Sequence, residues 1–336
     1  MKSPAPNAAL LACALCLVVF QLNSLTAAAR PARAKSKPAE TNWLVSDLTP
    51  AAGRGTPPAN ARGLGPWATR LMLATSRDGL SFKRTNKVLA DQTGVPNAMV
   101  DKDGHARIYY IDFGNGNIIA AAIQKGPDDW VYRRVKIEGL PRGSKTFEGR
   151  AGSSDPVDPT VVLLPDGRYR LYYMQGTPLP KIYSAISSNG IHFLKEDGLR
   201  YTAAPDPVFD PCVLRTPQGW LLWSGPEGRY TAKSSDGLSF ASTGEFKVEG
   251  RVFMTWSAVE APAGFRLFGN FIGRGAGGGL TSVYSKDGLS WKAESGPRLS
   301  REGADPALEA GVAPDNGACL LPDGTWLMVY LATIPQ

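Results

Sequence analysis

Residues 157–174, VDPTVVLLPDGRYRLYYM, and 209–223, FDPCVLRTPQGWLLW, decide the fold. Each opens on Asp-Pro, runs through branched and aromatic residues, turns on a glycine and returns in a second apolar run. That is the pattern of a β-hairpin. The same layout recurs in MVDKDGHARIYYID (99–112), AVEAPAGFRLFGN (258–270) and CLLPDGTWLMVYL (319–331). The turn glycines are Gly104, Gly167, Gly219, Gly264 and Gly324.

A second phrase alternates with the first. SRDGLSF (76–82), SSNGIHF (187–193), SSDGLSF (234–240) and SKDGLSW (285–291) share a Ser, a Gly and a closing aromatic. A worn copy, QKGPDDW, stands at 124–130, so the phrase recurs at intervals of roughly fifty residues. Asp-Gly supplies the backbone angles of a tight turn, and the aromatic can pack between repeats, so the phrase reads as scaffold. Two alternating hairpins make a four-stranded unit, lettered A to D from its first strand. The chain begins with a C-D hairpin and ends with an A-B hairpin, and together these complete one unit. The expectation is an all-β chain folded as a five-bladed β-propeller over 70–336, in which radial closure hides the strand edges.

The start of the chain reads differently. Lys2, the apolar run from Ala8 to Phe20 and the small residues Thr26 to Ala29 have the layout of a signal peptide over 1–29. The run falls short of the ~20 residues a membrane span needs. Residues 30–69 read as a Pro/Ala/basic tether and irregular lead-in. Lys2 and the segment RPARAKSKPAE (30–40) carry more than half of the net charge of +7. The body has no basic stripe with interleaved aromatics, so nucleic acid is not an expected partner. After removal of the leader the expectation is a monomer without a membrane span, secreted or held in the periplasm or cell envelope. Cys212 and Cys319 fall on non-neighbouring strands and are expected as buried free thiols.

Counting back nine residues from each turn glycine reaches the start of each inner strand: Val95, Asp158, Asp210, Thr255 and Asp315. Equivalent positions in a propeller converge on one end of the central channel. Three of the five are carboxylates, the residue type that glycoside hydrolysis needs in pairs, one to protonate the leaving oxygen and one to activate water or attack. Crowding raises the pKa of one member. The alternative for each Asp, a bond to its own turn backbone, stays open.

The five-unit pattern and its Asp-Pro strand starts resemble the arabinanase, levansucrase and invertase type of glycosidase over most of residues 70–333. The resemblance implies an Asp base, a second Asp that tunes it and a Glu acid on successive inner strands. Asp158 and Asp210 match the Asp positions. The Glu has no counterpart, because the next inner strand opens Thr255-Trp256-Ser257 and Glu260 lies farther along it. Glu148, Glu227 and Glu309, in loops at the same end, are acid candidates. Asp112, Asn97, Trp256 and Arg274 are candidates for holding substrate, and Trp223 is a second stacking face.

His105 and His192 sit in turns, and no metal cluster, phosphate cradle or dinucleotide fingerprint stands in a suitable context, so no cofactor and no metal are expected. The leading reading is an exported glycoside hydrolase-like protein acting on a furanoside, fructoside or related glycan, with carbohydrate as its partner. A non-catalytic propeller that binds glycan or protein at the cell envelope stays open beside it.

Overall fold

The computed structural model describes residues 45–57, 59, 65–140, 155–176, 178–225, 230–273, 279–299 and 303–336. The leader, most of the tether, Glu148, Glu227 and Arg274 lie outside these residues. The described strands make five sheets and the fold is a five-bladed β-propeller. Blade I comprises Thr93–Val100, Ala106–Asp112, Ile118–Gln124 and Trp130–Arg134. Blade II comprises Val157–Leu163, Tyr169–Gln175, Lys181–Ser187 and His192–Lys195. Blade III comprises Cys212–Thr216, Gly219–Ser224, Tyr230–Ser234 and Ala241–Glu245, and blade IV Arg251–Ala261, Gly264–Phe271, Thr281–Ser285 and Lys292–Ala293. In the fifth sheet the late strands Gly311–Leu320 and Trp326–Thr333 join the early strands Thr69–Ser76 and Lys83–Asp91. The shared ladder runs from Thr69↔Thr333 to Ser76↔Trp326. Among the described residues no helix is long and apolar enough to cross a membrane.

Each seam between neighbouring blades holds its own apolar core, because a blade's two faces are both covered. Tyr109, Ile123, Leu171 and Phe193 fill the seam of blades I and II, and Trp223, Phe246, Phe253 and Leu267 that of III and IV. Cys212 and Cys319 are free and buried, in different blades.

The Ser-x-Asp-Gly phrase forms the C-D turns. Ser76, Ser234 and Ser285 each accept the N–H of the glycine three residues on, at 2.9–3.0 Å. Asp78, Asp236 and Asp287 each accept two backbone N–H groups of the same turn.

Three of these turns also fasten one blade to the next, through an arginine that repeats at one register position of strand B. Arg107 donates to the Asn189 carbonyl at 2.7 Å, Arg170 to that of Asp236 at 3.3 Å and Arg266 to that of Asp78 at 3.1 Å. Each guanidinium also lies over an aromatic ring of the following blade, Tyr169, Trp220 or Trp326. Each is neutralised within its own blade, by Asp101, Glu196 or Glu294. At the remaining two seams Leu221 and Leu327 take the arginine's place, as their register with Lys233 and Thr75 shows. The seam of III and IV is filled by edge-to-face aromatics around Trp223, Phe246 and Trp291. That of V and I is crossed by the lead-in, where Asp47 binds the Arg134 N–H and Gly53 donates to Asp91.

Candidate active site at the channel end

The inner strands start with a repeated irregularity. In blade I the ladder skips from Gly94↔Ile111 to Asn97↔Tyr109, so Val95-Pro96 opposes Tyr110 alone. In blade II Asp158-Pro159 opposes Tyr173 in the same way. In blade III the Gly225 N–H bonds to the Phe209 carbonyl and Cys212 pairs with Trp223, so Asp210-Pro211 opposes Ser224. These are β-bulges, and proline suits them because the extra residue has no ladder donor to supply. Val95, Asp158 and Asp210 all take left-handed backbone angles, with φ of 47°, 53° and 47°. Asp tolerates that region, whereas a β-branched valine there is strained. The bulge re-aims the side chain at its first position away from the regular alternation.

Just beyond the bulges, polar side chains staple inner strand to inner strand. The Val161 N–H donates to Asn97 Oδ1 at 2.9 Å, and the Ala318 N–H to Ser257 Oγ at 2.9 Å. Thr160 Oγ1 donates to the Pro211 carbonyl. Gly317 adds a fourth seam by close approach, since a Cβ there would sit 2.6 Å from the Ala98 nitrogen. The inner strands are thereby fixed to one another at every seam but that of blades III and IV.

Three carboxylates meet on this frame. The Asp210 N–H points at Asp158 Oδ2, 3.3 Å away. Asp158 is buried, and Asp210 and Asp315 are half-buried. Burial pushes the Asp158 carboxyl up to about 7; the Asp210 N–H opposes the shift and the charge of Asp315 adds to it. Burial likewise lifts Asp315 to about 6, against its own backbone N–H. Asp210 rises well above the usual carboxylate range, through burial and the charges of Asp158 and Asp315, and no hydrogen bond to its carboxylate offsets this. Desolvation and like charge act in the same direction here, and among the described residues none of the three has a cationic partner. Asp158 and Asp210 face each other and titrate as a pair, both above the ordinary carboxylate range.

The other candidates divide. Asn97 is one of the inter-blade staples. Asp112 is fully buried at the end of strand B and accepts the Asn115 N–H and its side-chain amide, each at 2.9 Å, so it caps its own turn. Glu309 is engaged at both oxygens, by Arg84 and by the Tyr330 hydroxyl. Trp256 is the extra residue of the blade IV bulge, between Thr255↔Gly269 and Ser257↔Phe268. Its indole N–H donates to Asn270 Oδ1 at 3.0 Å, which fixes the half-buried ring. Trp223 is 2% exposed and belongs to the core of blades III and IV. A cavity of about 230 Å³ between blades I and II, lined by Asn117, Ile118, Val135, Ile137, Asp155 and Pro156, does not contain the channel carboxylates.

Among the described residues, only Asp101, Asp103 and His105 bring three ligand atoms within 4.8 Å of one another. The channel carboxylates do not form such a group. Asp101 is itself committed to the Asp103 and His105 N–H groups and to Arg107.

No protein-family model matches the chain, and no curated protein matches it in sequence. Solved structures match it in shape. A thermostable family-43 glycoside hydrolase has 12% identity and a TM-score of 0.51, covering 71% of this chain and 88% of its own. A structure from the GH130 family of mannoside phosphorylases, described as containing glycoside hydrolases that target β-1,2 mannosidic linkages in Candida mannan, has 14% identity and a TM-score of 0.46, with 72% and 86% covered. A family 117 glycoside hydrolase produced by the marine bacterium Zobellia galactanivorans has 13% identity and a TM-score of 0.44, with 71% and 84% covered. The likeness to the family-43 structure, at 12% identity, is one of fold.

Proposed function

We propose that this chain is an exported glycoside hydrolase whose active site is the carboxylate group at the channel end. The observation that carries the reading is the meeting of Asp158, Asp210 and Asp315 from three blades, with no cation among the described residues to neutralise them and with their protons retained toward neutral pH. Asp210, raised by burial and by the charges of both neighbours, is the proton donor to the leaving oxygen. Asp315, raised by burial alone, is the base or nucleophile. Asp158 lies against Asp210 and holds up its pKa by its own charge. This division supplies an acid from the inner strands themselves, where the resemblance had implied a glutamate. Furanosides and fructosides are the substrate classes that resemblance implies, and the leader-like residues 1–29 support export to the envelope or beyond.

A second reading, a propeller that binds glycan or protein without turning it over, is favoured by one observation. Blade IV contributes Thr255 and no acid, and Glu309 is engaged elsewhere.

A screen of purified protein against chromogenic glycosides and plant or bacterial polysaccharides separates the two, with Asp158→Asn and Asp210→Asn alongside. Hydrolysis requires turnover that both substitutions abolish. Its pH profile rises through about 6 as Asp315 ionises and falls where Asp210 loses its proton. Binding with no turnover, unaffected by either substitution, selects the second reading.

A further inference from the structure

Thr255 holds the position in blade IV that Asp158, Asp210 and Asp315 hold in theirs. It is 2% exposed, and its Oγ1 has no hydrogen-bond partner among the described residues. A buried hydroxyl left unpaired is destabilising, and valine would fill nearly the same space without that cost. What separates Thr255 from Thr93, which has the same unpaired hydroxyl, is its place level with the channel aspartates at the start of an inner strand.

The strand register shows which way it faces. Thr255 pairs with Gly269 and Phe253 with Phe271, with no bulge between them, so Thr255 and Phe253 share a face. Phe253 packs into the core between blades III and IV. Ser257, paired with Phe268 beyond the bulge, faces blade V and binds Ala318. Thr255 is thus turned toward blade III, the blade that carries Asp210. Gly269 sets this geometry, because a Cβ there would collide with the Met254 carbonyl. On one side of Thr255 the Trp256 ring is fixed by Asn270.

We propose that Thr255 is a specificity-determining residue of the channel-end site, its Oγ1 bonding a hydroxyl group of a sugar ring seated between Asp210 and Trp256. The inference rests on the reading of this site as a sugar site and adds the group that recognises the sugar's hydroxyl pattern. A hydroxyl both donates and accepts, which a secondary alcohol of a sugar matches and a carboxylate at this position would match only as acceptor. A site built around such a bond rejects a ligand that lacks it, because the buried protein group is again left unpaired.

The test uses the purified chain and two readouts. Thermal unfolding is followed with L-arabinose, D-fructose, D-mannose or D-galactose titrated in, and turnover is followed on the chromogenic glycosides. Thr255→Val, Thr255→Ser and Thr93→Val are compared with the wild type. Thr93 is a control, being equally buried with an unpaired Oγ1, but two residues before the bulge of blade I. With no sugar present, Thr255→Val is expected to unfold at the wild-type temperature or slightly above it. Its apparent affinity for the stabilising sugar, or its kcat/KM, falls about ten-fold. Thr255→Ser recovers most of that loss, and Thr93→Val loses nothing.

Sugar binding as tight in Thr255→Val as in the wild type overturns the proposal, and so does a wild type that none of the four sugars stabilises. Turnover that is equal in the wild type and Thr255→Val removes this role and leaves the hydrolase standing. Sugar binding without turnover, weakened by Thr255→Val, removes the hydrolase and leaves this role standing.

Discussion

The two ends of the blades carry the same residue in opposite electrostatic states. In the C-D turns Asp78 and Asp287 are drawn down to about 2, chiefly by the backbone N–H groups they accept. At the channel end Asp158 and Asp315 are held up at about 7 and about 6, chiefly by burial. A turn aspartate is exposed and accepts the donors of its own turn. A channel aspartate is desolvated, and Asp158 is in addition crowded by a second carboxylate on a backbone twisted into the left-handed region. The first arrangement stabilises a scaffold. The second costs stability, and a cost of this kind is what the proposed site requires.

The largest effect that tests this contrast is on turnover. Asp210→Asn keeps the shape of the side chain and removes the proton donor, so kcat on an identified substrate falls about 10³-fold while the fold survives. Asp287→Asn in a turn leaves kcat unchanged. Equal losses from the two substitutions would erase the distinction between site and scaffold.

Next in size is the fastening at the turn end. Arg170→Leu breaks the pair with Glu196 and the bond to the Asp236 carbonyl, leaving a half-buried carboxylate with the Ser184 hydroxyl but no cation. A loss of about 3 kcal/mol is expected, or roughly ten degrees in melting temperature, with kcat at 25 °C unchanged. Leucine already stands at this register in blade III, at 221, so steric misfit is not the cause. A melting temperature within two degrees of wild type would show the arginine to be ornamental.

The same contrast gives stability two limbs against pH. Unfolded carboxylates release their protons near 4. The channel aspartates keep theirs to about 6 and 7 when folded, so the folded state binds more protons in between. Their contribution is present below pH 4 and is lost as pH rises to about 7. The turn aspartates have the opposite sign: their contribution is present above pH 4 and is lost as pH falls toward 2. Asp158→Asn should flatten the upper limb, gaining about 2 kcal/mol over wild type at pH 8 and little at pH 4. Denaturant titrations at the two pH values measure this directly.

The fold was legible because its signals are local. Asp-Gly turns and alternating apolar runs repeat often enough to be counted, and counting nine residues back from a turn glycine reaches the bulge in every blade. The site was legible only as far as that count carries. Asp158 and Asp210 could be placed together, but the residue types do not reveal that Asn97 staples two strands, that Asp112 caps a turn or that Glu309 meets Arg84. Those roles depend on partners 64, 3 and 225 residues away. Arg107, Arg170 and Arg266 were in plain view, each two or three residues after a turn glycine. Their function went unread because the acceptor is a backbone carbonyl in the next blade, which no side-chain pattern announces.

The smallest effect asks which came first, the strained bulge or its carboxylate. Val95 adopts the same left-handed angle as Asp158 and Asp210 without any acid to aim, and its side chain packs at the edge of the core between blades II and III. Val95→Asn relieves backbone strain of about 1 kcal/mol, since asparagine tolerates this region. It also gives up a comparable amount of apolar burial. Stability is therefore expected to stay within about 1 kcal/mol of wild type, measured by urea unfolding. A gain beyond that would mean the bulge is imposed by the Pro-containing ladder alone, with the carboxylates later occupants of a geometry the scaffold already had. A loss of 2 kcal/mol or more would mean that the valine's packing holds the bulge, and blade I would then be a support for Asp158 rather than an unused copy of it.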